Sequence, residues 1–304
     1  MKTKVKMNLQ LKLGISFLII LITIAIAGPF LPFVDNELTK EGMRRIDGKM
    51  EIPPFPPSEE NWLGTDRYGV DVFSMLVLGT KEVLLIIFSI TILRYIIAVP
   101  MGVMAFYSKW IKGFMDFISQ AFSFVPAIFM IILLVNLPYL MYSPNRLWWA
   151  IVIIALLEVG RVSELIFTQV RSISSRTFIE AAITVGTSPP KLFRKYYLPA
   201  LLPELTVNFF LDLGRTLFIV GQLGVINIYI THKIQVIQAA FIPVFEVQNT
   251  SNAWPLLFDQ VLFDIYTYQW IPFSACIAIS IVVYGFFTLS EGLRKHFKYG
   301  YQYF

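Results

Sequence analysis

Six stretches of this chain stay apolar for about as long as a helix needs to cross a bilayer: residues 13–34, 80–108, 113–137, 147–168, 200–223 and 271–292. A hydrocarbon core of about 30 Å takes roughly 20 apolar residues in helical form. A helix is one of the few structures that satisfies its backbone donors and acceptors without water. The runs therefore predict an all-α, polytopic membrane protein with six transmembrane helices, forming a single domain over residues 1–304. Composition agrees: 56% of the residues are hydrophobic and 15% charged, against about 45–50% and about 25% in soluble domains. The net charge of +5 does not imply nucleic acid, because the lysines and arginines gather at the ends of apolar runs. That placement is a membrane-topology signal.

Placing the N-terminus inside gives the inner connections about twice as many lysines and arginines as the outer ones. Such an excess faces the cytoplasm, so both termini are expected there, in a plasma membrane. Lys2, Lys4 and Lys6 precede the first run, and Ala25-Ile26-Ala27 stands near its end, a pattern shared with cleaved secretory signals. The run continues through Phe30, Leu31 and Phe33, so an uncleaved first span is expected. Residues 35–79 form a polar outer loop whose Pro53-Pro54-Phe55-Pro56-Pro57 favours stiff, extended chain. Residues 224–270 form a second outer insertion, rich in aromatics such as Tyr229, Trp254, Tyr268 and Trp270. It is expected to lie at the membrane interface or to cap a partner. Cys276 is the single cysteine, so no internal disulfide is possible.

Between the fourth and fifth runs, residues 170–199 make a short charged island punctuated by helix breakers. Thr177 to Val185 can form a helix with Glu180 near its favourable N-terminal end and the strong helix formers Ala181 and Ala182 within it. Gly186 can supply the left-handed turn that stops it. Ser188 and Pro189 suit the start of a second helix, which carries Leu192, Phe193 and Tyr196 beside Lys191, Arg194 and Lys195. Pro199 is expected to close that helix before the fifth run. Spacing alone leaves two readings open: a capped helix pair that serves only its own bundle, or a small-residue surface for another protein.

Six ionisable residues fall in or near the apolar runs: Arg94, Glu158, Arg161, Glu164, Asp212 and Arg215. Each costs at least about 2.5–3.5 kcal/mol at bilayer depth, so a partner or a watery cavity is expected. Glu158 with Arg161, Arg161 with Glu164, and Asp212 with Arg215 are spaced i, i+3 and can neutralise one another along a helix. They serve either as internal pins or as the lining of a polar pathway. Arg94 has no partner near it in sequence, which makes it a candidate interhelix contact or pathway residue. No G-x-x-x-x-G-K-[ST] run is present, His232 and His296 lie far apart, and no Cys/His cluster has metal spacing. Neither a metal nor a cofactor is expected, and no catalytic residue stands out.

Glu180, Ala181, Ala182, Gly186, Leu198 and Pro199 resemble the EAA-x3-G-x9-I-x-LP loop of ABC importer permeases, with Tyr196 at the isoleucine position. Leu63, Gly64, Thr65, Asp66, Gly69 and Asp71, followed by Val72-Phe73-Ser74, are similar to the block that precedes the second span in C-type subunits of the peptide/nickel importer family. Val70 and Met75 stand where that block usually has arginine. Residues 284–294, ending Gly292-Leu293-Arg294, resemble the last span of the same family. The resemblance covers roughly residues 10–225 and 270–296. It is weak over 224–270, where Leu223-Gly224-Val225 survives but the following loop is longer.

The resemblance implies a type I importer permease fold in the plasma membrane of a bacterium or archaeon. It further implies a heterodimer with a B-type permease subunit, two separate ABC ATPase subunits and an extracytoplasmic solute-binding protein. On this view the chain is not an enzyme, and the 170–199 loop couples it to the ATPase. Short peptides are the implied solute, with a nickel or metal chelate as an alternative. The departures at Val70, Met75 and 224–270 motivate a third reading, a membrane scaffold or regulatory subunit that does not transport.

Overall fold

The computed structural model describes residues 8–46, 49–121, 124–239, 242–249 and 251–301; Lys2, Lys4 and Lys6 lie outside them. Twelve α-helices dominate these residues: α1 (Leu9–Ala27), α2 (Val72–Tyr107), α3 (Lys109–Ala121), α4 (Ala127–Val135), α5 (Pro138–Met141), α6 (Arg146–Leu157), α7 (Val159–Ser174), α8 (Thr177–Thr184), α9 (Pro189–Leu192), α10 (Leu198–Val225), α11 (Val261–Thr267) and α12 (Trp270–Tyr301). Three segments are long and apolar enough to cross a membrane: Leu9–Phe30, Val72–Tyr107 and Trp270–Lys298. Helix α10 has 28 residues, with Asp212 and Arg215 in its middle.

The third and fourth apolar runs differ from the continuous helices expected of them. Residues 113–137 are shared between α3 and α4, and Pro126 stands at the N-cap of α4. Proline lacks the N–H that a helix interior needs. Residues 147–168 are shared between α6 and α7, which meet at Glu158 with φ −97° and ψ −2°. The Glu158 N–H turns back to the Leu156 carbonyl instead of reaching four residues back.

The fold is also not purely helical. Strands β1 (Arg44–Ile46) and β2 (Lys49–Glu51) form a small antiparallel hairpin between α1 and α2. A longer hairpin, β3 (His232–Ala239) and β4 (Ile242–Asn249), runs from the pair His232–Asn249 to Ala239–Ile242. It occupies the middle of the 224–270 insertion, where the sequence offered only aromatic composition.

Helices α1, α2, α10 and α12 meet around Ile87, Leu213, Leu217, Ala275 and Phe286. A second apolar cluster joins α2, α4, α6 and α10 through Ile90, Ile131, Ile154 and Leu223. A third joins α2, α7 and the 177–199 region through Ala98, Ile166, Ile179 and Tyr197. The outward faces are apolar as well, with Ile19, Leu85, Ile96, Ile277 and Phe287 exposed. That pattern suits hydrocarbon, since a helix apolar all round is a buried or membrane element.

α1 and α12 approach backbone to backbone. A Cβ on Gly14 would stand 2.5 Å from Leu289 Cα, and one on Gly285 would stand 2.0 Å from the Phe17 ring. Asn8 caps α1 by accepting from the Leu11 N–H, and its own amide donates to the Gly292 carbonyl at 2.9 Å. Gly14→Leu should therefore separate the two helices and lower the unfolding midpoint of the detergent-solubilised protein, at a cost of about 1–3 kcal/mol. Leu13→Ala, one residue away on the exposed side, should change the midpoint much less.

Candidate functional site

Five of the six ionisable residues noted in the apolar runs converge into one alternating chain: Arg94, Asp212, Arg161, Glu158, Arg215. Arg94, on α2, is completely buried. Its Nη1 donates to Asp212 Oδ2 at 3.4 Å and to Thr216 Oγ1 at 3.2 Å, both on α10. Asp212 Oδ1 accepts from Arg161 Nη2 of α7 at 2.5 Å. Arg161 Nε donates to Glu158 Oε2 at 2.6 Å, and Arg215 Nε lies 3.2 Å from that same oxygen. Each carboxylate thus sits between two guanidiniums. A buried ion without a partner carries a penalty of several kcal/mol, and alternation is what offsets it here.

The break at Glu158 and the position of Arg94 explain each other. In an unbroken helix the Ile154 carbonyl would accept from the Glu158 N–H, which points elsewhere in this structure. Arg94 Nη2 donates to that freed carbonyl at 3.3 Å. A helix end inside an apolar bundle needs such a partner.

Only one of the three expected i, i+3 pairs forms. Glu158 meets Arg161, but Arg161 does not meet Glu164, and Asp212 does not meet Arg215. Glu164 Oε2 instead accepts from Lys112 Nζ of α3 at 3.0 Å. Pairs along one helix contribute only about 0.2–0.5 kcal/mol each. Satisfying buried charges across helices outweighs them. Thr91 and Thr216, whose hydroxyls are 3.3 Å apart, belong to the same buried network. Scanning for charge passes over them because a hydroxyl barely disturbs an apolar run.

Beside the exposed end of this chain lies a cavity of about 300 Å³, lined by Glu158, Gly160, Arg161, Arg215 and, from the facing segments, Ser119 and Pro126. Arg215 is half-exposed there, while Glu158 is buried.

The 177–199 region folds as two short helices and a tight turn. At the end of α8, Thr187 N–H donates to Ala182 O at 3.1 Å and Gly186 N–H to Ile183 O at 2.8 Å. These are the paired bonds of a Schellman stop, with Gly186 at φ +81°. Nothing lies within 4 Å of where a Gly186 Cβ would point, so the backbone angle alone demands glycine. Ala182 is buried with Ile179, Leu192 and Tyr197. Glu180, Ala181, Ile183 and Val185 face outward. Tyr196 lays its ring near Phe178, centroids 6.4 Å apart, so its added bulk is absorbed within the helix pair.

Pro199 does not close the second helix, as its sequence context suggested. A π turn over Phe193–Tyr197 carries α9 straight into α10, with the Leu198 N–H donating to Phe193 O, five residues back. Leu198 and Pro199 follow the π turn directly, in the first turn of α10.

The 63–74 block is a structural turn that starts α2. Asp66 Oδ1 accepts from the Tyr68 and Val70 N–H groups, both at 2.8 Å. Burial pushes the Asp66 carboxyl above its usual range, and those two bonds pull the other way. Gly69, at φ +78°, presses against Glu41. Thr65 bridges to Asp71, and Asp71 caps α2 by accepting from Ser74 N–H at 2.8 Å. Gly64 makes room for Trp270, whose indole N–H donates to Thr65 O at 3.1 Å. Leu63 packs on the adjoining core. Between the motif positions, Arg67 pairs with the fully buried Asp264 at 2.5 Å and lies over the Phe263 ring at 4.9 Å. This contact joins the segment before α2 to the segment before α12, and no motif announces it.

A family model described as "Binding-protein-dependent transport system inner membrane component" matches residues 94–294, which include the ionic chain and the 177–199 loop. The chain is similar to the dipeptide transport system permease protein DppC of Bacillus subtilis, 25% identical over 96% of this chain and 82% of that protein. It is similar to DppC of Alkalihalophilus pseudofirmus, 25% identical over 78% of this chain and 71% of that protein. It is also similar to the glutathione transport system permease protein GsiD of Pectobacterium atrosepticum, 22% identical over 91% of this chain and 83% of that protein.

Replacing Arg94 by Met strands the Ile154 carbonyl and removes one of the two cations on Asp212. It should destabilise the solubilised protein by about 3–5 kcal/mol, measured from its unfolding midpoint. Adding Asp212→Asn should deepen that loss, because Arg161 then loses the carboxylate it holds at 2.5 Å.

Proposed function

This chain belongs to the family of binding-protein-dependent transport system inner membrane components, and from that premise we propose that it is one of two membrane subunits of an ATP-driven importer of short peptides. The observation that carries this reading is the 177–199 loop: a rigid, Gly186-stopped helix pair with an outward face of Glu180, Ala181, Ile183 and Val185. The peptide assignment is supported by relatives whose names specify dipeptide or glutathione transport. No relative reported above is named for a metal chelate.

In this reading the six spans are α1, α2, α3 with α4, α6 with α7, α10 and α12, with both termini cytoplasmic. The close packing of α1 on α12 supports a first span that stays in the bundle. Two cytoplasmic ATPases, a B-type permease and an external binding protein complete the assembly. The outer segments, joined by Arg67 and Asp264, present a surface to the binding protein.

Movement of the ATPases presses on α8. Ile179 and Ala182 carry the push into α7 and the π turn, because they pack against Ile166, Val170, Leu192 and Tyr197. At its far end α7 holds Arg161, so the same rigid element reaches the ionic chain. A two-state rocking of packed helices transmits such force without any chemistry in this chain.

Gly186→Val places a β-branched residue at a left-handed angle, and Glu180→Arg reverses charge on the outward face. Each should leave the protein inserted and the complex assembled while ATP hydrolysis no longer drives peptide uptake. Gly186→Asn, which tolerates that angle, should retain coupling. Normal uptake by an assembled Gly186→Val, Glu180→Arg double variant would overturn the assignment of the loop.

A further inference from the structure

The ionic chain begins and ends on a guanidinium. Among the described residues the ion pairs of Arg94, Arg161 and Arg215 all go to Glu158 and Asp212, and the two carboxylates are already shared. One positive charge is therefore in excess. It is not at the inner end, where Arg94 also holds Thr216 Oγ1 and the Ile154 carbonyl. It is at Arg215, whose one ion pair among the described residues is the 3.2 Å contact to a Glu158 oxygen that Arg161 also uses at 2.6 Å.

Arg215 opens on the cavity of about 300 Å³, and among the described residues Glu158 is the one acidic residue that lines it. Gly160, in the first turn of α7, lines it too. A cavity with surplus positive charge is a site for an anion, and a guanidinium fork matches a carboxylate.

We infer that this cavity is a carboxylate subsite of the transport path, in which Arg215 holds the carboxylate of a passing peptide while Arg161 and Glu158 fix its orientation. The inference rests on the reading of the chain as a peptide-importer permease. It adds which end of the solute this subunit grips and with which residue. Occupancy also has a structural consequence. An anion on Arg215 weakens its hold on Glu158, and Glu158 sits at the joint between α6 and α7, so the solute acts on a helix break.

The test uses the whole complex, purified with this chain and reconstituted in proteoliposomes with its binding protein. Uptake is measured for trialanine, for trialanine amide and for alanyl-aspartyl-alanine amide. The binding protein is the same in every preparation, so its own preference cancels when variants are compared. Arg215→Gln should lower the acid-to-amide uptake ratio about two- to fivefold relative to the unsubstituted protein, the scale of one partly exposed charge contact. Arg215→Lys should keep most of the ratio. Ser119→Asp sets a fixed carboxylate in the cavity wall and should lower the ratio without removing any member of the chain. If the aspartyl amide follows the acid, a side-chain carboxylate also satisfies the site; if it follows the plain amide, the site takes the terminus. An unchanged ratio in both Arg215→Gln and Ser119→Asp overturns the inference alone. Uptake of none of the three peptides by the unsubstituted complex sinks the peptide reading, and the inference with it.

Discussion

Charge neutralisation between helices organises the centre of this molecule. Asp212 on α10 is shared by Arg94 on α2 and Arg161 on α7, so it ties three helices with one carboxylate. None of these groups can be withdrawn without leaving an ion in an apolar bundle, a situation that costs several kcal/mol. Apolar contacts around Ile90, Ile154 and Leu223 fill the space but do not choose one register over another. The ionic chain does, because its donors and acceptors alternate in only one order.

Around that centre the bundle contains two interruptions, and each is matched to a nearby need. The stop at Glu158 frees a carbonyl for Arg94 and places Glu158 where it can serve both Arg161 and Arg215. The π turn at Phe193–Tyr197 lets the helix after the 177–187 turn run on into α10 past Pro199. Helix α8 therefore has a continuous helical connection on one side and α7 on the other. The segments that precede α2 and α12 are joined in the same economical way, through Arg67 with Asp264 and through Trp270 with Thr65.

Much of this was legible in the sequence, and what was not has physical reasons. The turn at Gly186 follows from one residue type at one angle, and the start of α2 from Asp66, Gly69 and Asp71 acting within a few residues of each other. Local chemistry of that kind can be read directly. The partners of Arg94 could not be, since they lie 118 and 122 residues away at Asp212 and Thr216. The pairing of Asp212 with Arg215 was misread because i, i+3 spacing permits a contact without outweighing a buried one elsewhere. The break at Glu158 leaves no trace as proline or as a Gly-rich turn. Its cause is a side chain on another helix. The hairpin of β3 and β4 lies in a segment where the resemblance to known permeases is weakest, so neither motif nor apolar period marked it.

The seam between α1 and α12 has a bearing on how the molecule is made. Asn8 is bonded to Gly292 across 284 residues of chain, and Gly14 fits directly against Leu289. During synthesis α1 is laid into the membrane long before its neighbour exists. Its tight face, cut for a glycine-lined partner, has lipid against it until the last helix arrives. Closure of the bundle is thus an event of high contact order, and α12 acts as the clasp that α1 must wait for.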